Sequence, residues 1–247
     1  INTESKTVDI VFNIDEGPKV YVNRVNINGN TRTIDKVVRR EILFSEGDAY
    51  NKFSINYSKD KIKSLNFFES VEINEVRSDD LDRLNLNILV EEKNTGSATI
   101  GAGYGDQNGS TLTAGISEAN FLGKGQKVKF STSFSSTQNL YDLSITEPYF
   151  NDKDLSVRGD LYSKFSDPES VNYDTETIGV GFSLGFPLSA NNRITTKYSL
   201  LTSKTTADVD ATAYEKLLSG TSTISIAGYV LSLDNRNSPY KPSKGSI

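Results

Sequence analysis

From Ile178 to Phe186 the chain alternates without a fault. Even positions carry Ile178, Val180, Phe182, Leu184 and Phe186, and odd positions carry Gly179, Gly181, Ser183 and Gly185. A period of two is the signature of a strand with unlike faces. A face of glycine and serine has no bulk with which to fill a sandwich core. It suits a wall between lipid and a water-filled lumen.

The pattern recurs. Alternating segments are predicted at 97–105, 110–119, 126–135, 139–149, 155–165, 173–186, 193–203 and 221–234. Each is near the roughly 9 to 11 residues that a tilted strand needs to cross a bilayer. Short connections (Leu122-Gly123-Lys124-Gly125, Asn151-Asp152-Lys153-Asp154, Ser189-Ala190-Asn191-Asn192) alternate with longer ones, up to 204–220, and no helix of consequence is read after Asn94. Tyr149, Phe150 and Phe186 on the short-turn side, with Tyr104, Phe134 and Phe165 on the loop side, would form two interfacial girdles; ordinary strand aromatics are the alternative. Glu147-Pro148-Tyr149-Phe150 reads as a turn former, since Pro is tolerated at a strand end. The mean hydropathy of -0.43 does not exclude a membrane, because alternating strands average their two faces. No segment approaches the roughly 20 apolar residues of a spanning helix.

Composition removes whole classes of chemistry. The 247 residues include no Cys, His, Met or Trp, which excludes disulfides, thiolate or imidazole metal sites, and Ser-His or Cys-His nucleophile pairs. The net charge of -5 and the lack of a basic run give no footprint for nucleic acid. Asp79-Asp80 and Asp208/Asp210 read as solvated acidic pairs, and no cofactor or metal is expected. Gly101-Ala102-Gly103-Tyr104-Gly105 is no dinucleotide loop, because alternation continues where a helix would have to begin. A chain that opens on Ile1 without an initiator Met is expected to be a piece of a longer chain or a processed product.

Residues 1–93 follow another grammar. Val8, Ile10, Phe12 and Ile14 alternate up to Glu16-Gly17-Pro18; Val20, Val22 and Val25 repeat the pattern up to Asn28-Gly29-Asn30. Ile34, Val37, Val38 and Ile42 take helical spacing before Gly47, and a second helix is predicted over 51–65 with Phe53, Tyr57, Ile62 and Leu65 on one side. Strands over 68–76 and 84–91 follow. The fold class is an α+β domain of order β-α-α-β-β, about 75 residues and large enough to fold alone, followed by antiparallel transmembrane β-barrel strands.

Gly29-Asn30-Thr31-Arg32-Thr33, Arg39-Arg40-Glu41, Glu46-Gly47-Asp48-Ala49-Tyr50-Asn51 and Phe67-Phe68 recur in order with Val90-Glu91-Glu92-Lys93-Asn94-Thr95-Gly96. Gly101–Gly105, Glu118-Ala119-Asn120-Phe121-Leu122-Gly123-Lys124-Gly125 and Glu147-Pro148-Tyr149-Phe150 follow. In order and spacing the set closely resembles the BamA-type family of outer-membrane assembly proteins, which carry periplasmic POTRA repeats and a barrel of about sixteen strands. The resemblance implies that 1–18 ends a preceding POTRA repeat, 19–93 is the last repeat, and 94–247 is the N-terminal half of the barrel, about eight strands. It implies a non-enzymatic factor of a Gram-negative outer membrane, its POTRA domain in the periplasm. Its partners would be nascent outer-membrane β-barrel proteins, accessory periplasmic lipoproteins and outer-membrane lipid. The chain stops after Asp234-Asn235-Arg236-Asn237-Ser238-Pro239, so the motifs of the family's second half are absent. Such a half-barrel, with two raw edges, is not expected to insert as a stable monomer.

Two sets of candidate site residues follow. Ser97, Ala98, Thr99, Ile100, Gly101, Ala102, Gly103, Tyr104 and Gly105 form the first barrel strand, which must close against the last. Glycine weakens a strand, and an opened edge offers free N–H and C=O groups to an added strand. The resemblance implies a lateral gate at which client strands pair; glycines that merely fit a curved wall are the alternative. Arg39, Arg40, Glu41 and Glu46 read by themselves as a solvated charged surface. The resemblance implies a contact with an accessory lipoprotein there, with Glu46 aligned with the acidic residue of that contact. A transport pore of the two-partner-secretion type, built from the same parts, is the alternative function, and a plain eight-stranded structural barrel a third.

Overall fold

The computed structural model describes residues 19–80, 82–106, 108–189, 191–236 and 242–246. The segment 1–18, with the strand read at 8–14, and the turn at 237–239 lie outside the described residues.

The first strand, β1 (Tyr21–Asn28), carries Val22 and Val25 into the core, although an odd spacing should place them on opposite faces. A register shift between Val22 and Arg24 reconciles the two: one extra residue in a strand turns the face over. Gly29 then reverses the chain at φ 93°, with no room for a Cβ beside the Val90 carbonyl. Helix α1 (Asp35–Arg39) is shorter than its apolar spacing predicts. Its N-cap is Ile34, which offers no side-chain acceptor, and beyond Arg40 the backbone is taken by the tertiary structure, Leu43 N–H donating to Ser58 Oγ at 2.9 Å.

Helix α2 (Lys52–Ser64) is capped by Asn51, whose side chain accepts from Phe53 N–H at 2.9 Å. Its buried face is Ile55, Ser58 and Ile62. The predicted stripe is therefore rotated: Phe53 is 73% exposed and stacks on Tyr57 outside, ring centroids 6.1 Å apart. A serine stands where helical spacing calls for an apolar residue. Ser58 is fully buried because its hydroxyl donates to Ser54 O at 2.7 Å while accepting from Leu43.

Strands β2 (Phe68–Arg77) and β3 (Arg83–Glu92) complete a sheet of order β1-β3-β2, parallel between β1 and β3 and antiparallel between β2 and β3. Leu86 and Ile88 of the central strand are fully buried, with Val22, Val38, Ile62 and Val71 around them.

After Lys93, Asn94 and Thr95 the second sheet begins. It comprises β4 (Gly96–Gly105), β5 (Gly109–Phe121), β6 (Gln126–Ser135), β7 (Gln138–Glu147), β8 (Ser156–Ser166), β9 (Tyr173–Ser189), β10 (Asn192–Ala207) and β11 (Gly220–Leu233). Eight strands stand in chain order, each antiparallel to its neighbours. The loop read at 204–220 is shorter than predicted, because β10 continues to Ala207. It contains a six-residue helix, α3 (Ala213–Leu218), fixed by a capping box between Thr212 and Glu215.

The alternation that opens the sequence sets the two faces. Ile178, Val180 and Phe182 are about half exposed, at 55%, 49% and 48%, whereas Ser183, next to Phe182, is 9% exposed. Across the ladder Phe182 faces Tyr198, and Ser183 faces Lys197 and Arg158. The glycine-serine face thus belongs to the concave side, where Arg158 pairs with Asp160 at 2.6 Å and a hollow of about 910 Å³ is bordered by Lys127, Asp142 and Tyr162. Apolar outside and charged inside is the arrangement of a transmembrane barrel wall. Among the described residues the wall is not closed: β4 and β11 are each paired on one side only.

Candidate functional site

The candidate gate residues Ser97 to Gly105 all lie in β4, which pairs with β5 from Gly96↔Glu118 to Gly105↔Gly109. Ala98, Ile100, Ala102 and Tyr104 share one face and lie opposite Ile116, Ala114, Leu112 and Ser110; Ser97, Thr99, Gly101 and Gly103 share the other. Ile100 is 82% exposed and Tyr104 79%, and among the described residues the strand is held chiefly by its ladder with β5. Two side-chain ties supplement it, Ser97 Oγ to Ser117 Oγ at 2.8 Å and Thr113 Oγ1 donating to Gly101 O at 3.3 Å.

The glycines of β4 differ in what they exclude. A Cβ on Gly101 would press on Thr113 Oγ1 at 2.8 Å, whereas at Gly103 and Gly105 nothing stands within 4 Å. Close packing does not demand glycine at the last two. Their effect is on the strand itself, since each gives up the packing that a β-former would add and brings more backbone entropy to be lost.

The four charged candidates do not form one surface. Arg39 pairs with Asp35 at 2.8 Å and faces outward. Glu46 is exposed, and its Oε1 accepts from Val25 N–H at 3.0 Å. That N–H lies on the free edge of β1, so Glu46 also stops a strand edge that would otherwise stand open. Arg40 and Glu41 turn the other way. Glu41 is 7% exposed, and its Oε1 accepts from Tyr149 O–H at 3.1 Å. The Arg40 guanidinium lies over the Tyr149 ring, 4.1 Å from its centroid.

Tyr149 is therefore no lipid-facing girdle residue; it belongs to a seam between the α/β domain and the strand wall. Burial raises the pKa of Glu41, against the opposing pull of its hydrogen bond from Tyr149 and the charges of Lys61 and Arg40. Burial and the neighbouring Glu41 raise that of Tyr149. Further along, Asn120 Nδ2 donates to the buried Thr33 Oγ1 at 2.8 Å, and Ile34 N–H donates to Gly123 O at 3.0 Å. Glu92 orders the loop behind: its carboxylate accepts from Thr33 N–H at 2.6 Å, Arg32 N–H at 2.9 Å and Thr31 Oγ1 at 2.8 Å. Burial would raise its pKa, but these bonds outweigh that and hold it at about 2.

Residues 20–93 match the POTRA family described as a surface antigen variable number repeat, and residues 120–247 match the Omp85 superfamily domain. The chain belongs to the Omp85 superfamily. The Omp85 match takes in the alternating strands β6 to β11, and the POTRA match covers the α/β domain in front. The chain is 35% identical over 199 residues to the outer membrane protein assembly factor BamA of Neisseria meningitidis serogroup B, an alignment covering 78% of this chain and 25% of that protein. It is 30% identical over its whole length to BamA of Nitratidesulfovibrio vulgaris, covering 31% of that protein. The crystal structure of BamA from Haemophilus ducreyi lacking POTRA domains 1-3 superposes with a TM-score of 0.71 at 27% identity, over 92% of this chain and 47% of that one. CdiB from Acinetobacter baumannii shares the fold at 15% identity and a TM-score of 0.50 over 85% of this chain and 42% of that one. The chain thus spans a third or less of the curated relatives above and matches the POTRA–barrel passage of a BamA-type protein.

Proposed function

We propose that this chain is the POTRA–barrel passage of a factor that assembles and inserts β-barrel proteins into the outer membrane of a Gram-negative bacterium, with its POTRA domain in the periplasm. The support for the reading is β4: a first wall strand, rich in glycine and tied to β5 by few side chains, directly behind a POTRA domain. Client strands pair along the edge of β4 that faces away from β5, where main-chain groups supply hydrogen bonds without regard to sequence. The driving energy comes from strand pairing and apolar burial in the client, with no enzymatic step. Photo-crosslinkers placed at Ala98, Ile100 or Ala102 should capture a stalled barrel client. Capture at other strands with none at these positions would sink the gate.

Arg39 and Glu46 supply the outward part of an accessory-lipoprotein contact. A charged contact of this kind adds specificity and on-rate more than raw affinity. Because Glu46 also accepts from Val25 N–H, Glu46→Lys would disturb β1 as well as a partner. Glu46→Gln keeps an acceptor and removes the charge. It should weaken pull-down of the lipoprotein, most clearly at low salt, while leaving hydrogen exchange in β1 unchanged; undiminished pull-down at low salt would refute the contact. The alternative of a polypeptide transport pore draws on the shared fold alone. Several POTRA repeats ahead of this one would favour assembly, and a pair in total would favour secretion.

A further inference from the structure

The concave face of the wall is not polar throughout. From β5 to β9 it consists mainly of polar residues and glycine. At β11 it turns apolar. Leu201 of β10 stands opposite Ile224, Ser199 opposite Ile226 and Thr195 opposite Val230, and all of them are in register with the glycine-serine face of β9. Ile224 and Ile226 are each 54% exposed and Val230 44%. The outer face of the same stretch is hydroxylic: Thr223 and Ser225 lie there, with Thr223 Oγ1 3.4 Å from Thr202 Oγ1. A lumen filled only with water gives no reason for such an inner row, since apolar surface left in water favours an apolar cover.

The row adjoins unmatched charge. Leu201, Ile226 and Val230 border the hollow of about 910 Å³. Its cations are Lys127, Arg158, Lys164 and Lys197 and its carboxylates Asp142 and Asp160, four against two. Arg158 is held by Asp160, whereas Lys197 has no ion pair among the described residues. Lys197 stands opposite Gly228, between the positions that face Ile226 and Val230. Nothing lies within 4 Å of where a Cβ on Gly228 would be. The ammonium is therefore open from the β11 side, and the apolar row runs away from it. From Gly228 to Ile224 the strand advances roughly 14 Å.

We propose that this hollow binds a single-chain carboxylate amphiphile of the fatty-acid class, its head at Lys197 and its chain along Ile226 and Ile224 against Leu201. Charge selects the head. One unpaired ammonium matches one negative charge, and Arg158, across Ser183 from Lys197 and already held by Asp160, adds attraction without requiring a second. The row selects the tail. A polymethylene chain covers alternate side chains of a strand and brings no polar group with it, whereas a peptide laid on the face of a sheet would leave backbone N–H and C=O groups unpaired against Ile224 and Ile226. The site lies at the opposite end of the wall from β4 and does not depend on where client strands pair, so its test is separate from that of the gate.

An environment-sensitive dye on Ser199→Cys, on the inner face beside Ile226, reports occupancy in the protein at its full natural length in phospholipid vesicles. The same dye on Leu200→Cys, on the outer face, reports loading of the bilayer. Decanoate should give a saturable change at Ser199→Cys and only a gradual drift at Leu200→Cys. Decanol should bind more weakly, and decyltrimethylammonium should give no saturable change. Lys197→Gln should weaken decanoate by about tenfold and leave decanol unaltered, which also shows that the hollow is still formed; Ile226→Ser should weaken both. Lys153→Gln, in the β7–β8 turn, should change neither. Equal binding of decanoate and decyltrimethylammonium would overturn the proposal, as would undiminished decanoate binding in both hollow variants. So would the lack of any saturable change in the parent, which would leave the hollow to the protein's own chain.

Discussion

Single residues at the seam carry more than their local sequence declares. Arg40 and Glu41 stand in a charged run that reads as solvated, yet Glu41 meets its hydrogen-bond donor 108 residues later in the chain. Helical spacing has no means of showing such a partner. The motif Glu147-Pro148-Tyr149-Phe150 was visible, but the turn it predicts accounts only for the proline. Glycine gave a fuller signal: Gly123→Ala combines a left-handed φ with collision against the Arg32 carbonyl, and should cost about 2–4 kcal/mol at the seam. Faster hydrogen exchange at Ile34 N–H would register it, and unchanged exchange would show that the backbones yield. Acid acts on two carboxyls in opposite senses. Glu92 is held at about 2, so its contribution is present above the unfolded value near 4.5 and is lost as pH falls towards 2; Glu92→Gln should flatten that acid loss in the 29–33 loop by about 1–2 kcal/mol. Glu41, with Tyr149, Arg40, Lys61 and Asp154 around it, is raised by burial. Its stabilising share is complete below the unfolded value and fades as pH rises through the raised one. A rise on acidification from neutral pH in the protection factors of the β7–β8 turn, corrected for the intrinsic pH dependence of exchange, and its loss in Glu41→Gln are the expected outcome.

At the level of elements the strands were legible and the helices only partly so. A period of two survives wherever one face meets charge and the other lipid, and the predicted 126–135 strand coincides with β6. Helix α1 gives way to a segment in which Leu43 N–H is taken by Ser58, a tertiary event, and α2 turns that serine inward because Ser54 of the same helix and Leu43 of the segment before it satisfy its hydroxyl. The gate belongs to this scale too. With nothing within 4 Å of a Cβ at Gly103, Gly103→Val adds no clash and stabilises β4 by about 0.5–1 kcal/mol through backbone entropy and β-propensity. If the strand works by opening, client crosslinking from Ile100 should fall while insertion of the protein itself persists. Undiminished capture would assign the glycine to the shape of the wall.

At the scale of the whole chain, the eight wall strands among the described residues leave an edge on β4 and another on β11. Each backbone group left bare in hydrocarbon costs several kcal/mol. Residues 1–247 expressed alone should therefore give no protease-resistant, heat-modifiable monomer in detergent, and finding one would mean that the edges can meet. Strand order was legible because short turns leave consecutive strands no choice but to pair; the seam was not, since it joins two regions that no local pattern relates. The direct run of β3 into β4 has a mechanical consequence. Tension entering at β1 and leaving through the end of β3 loads a parallel pair along its length, so its hydrogen bonds share the force. The same tension reaches β4 at Gly96, beside Glu118 of its antiparallel neighbour, and there the bonds would yield one at a time. In an optical trap, a pull on the periplasmic domain should unzip the first hairpin of the wall while the domain that transmits the pull stays folded.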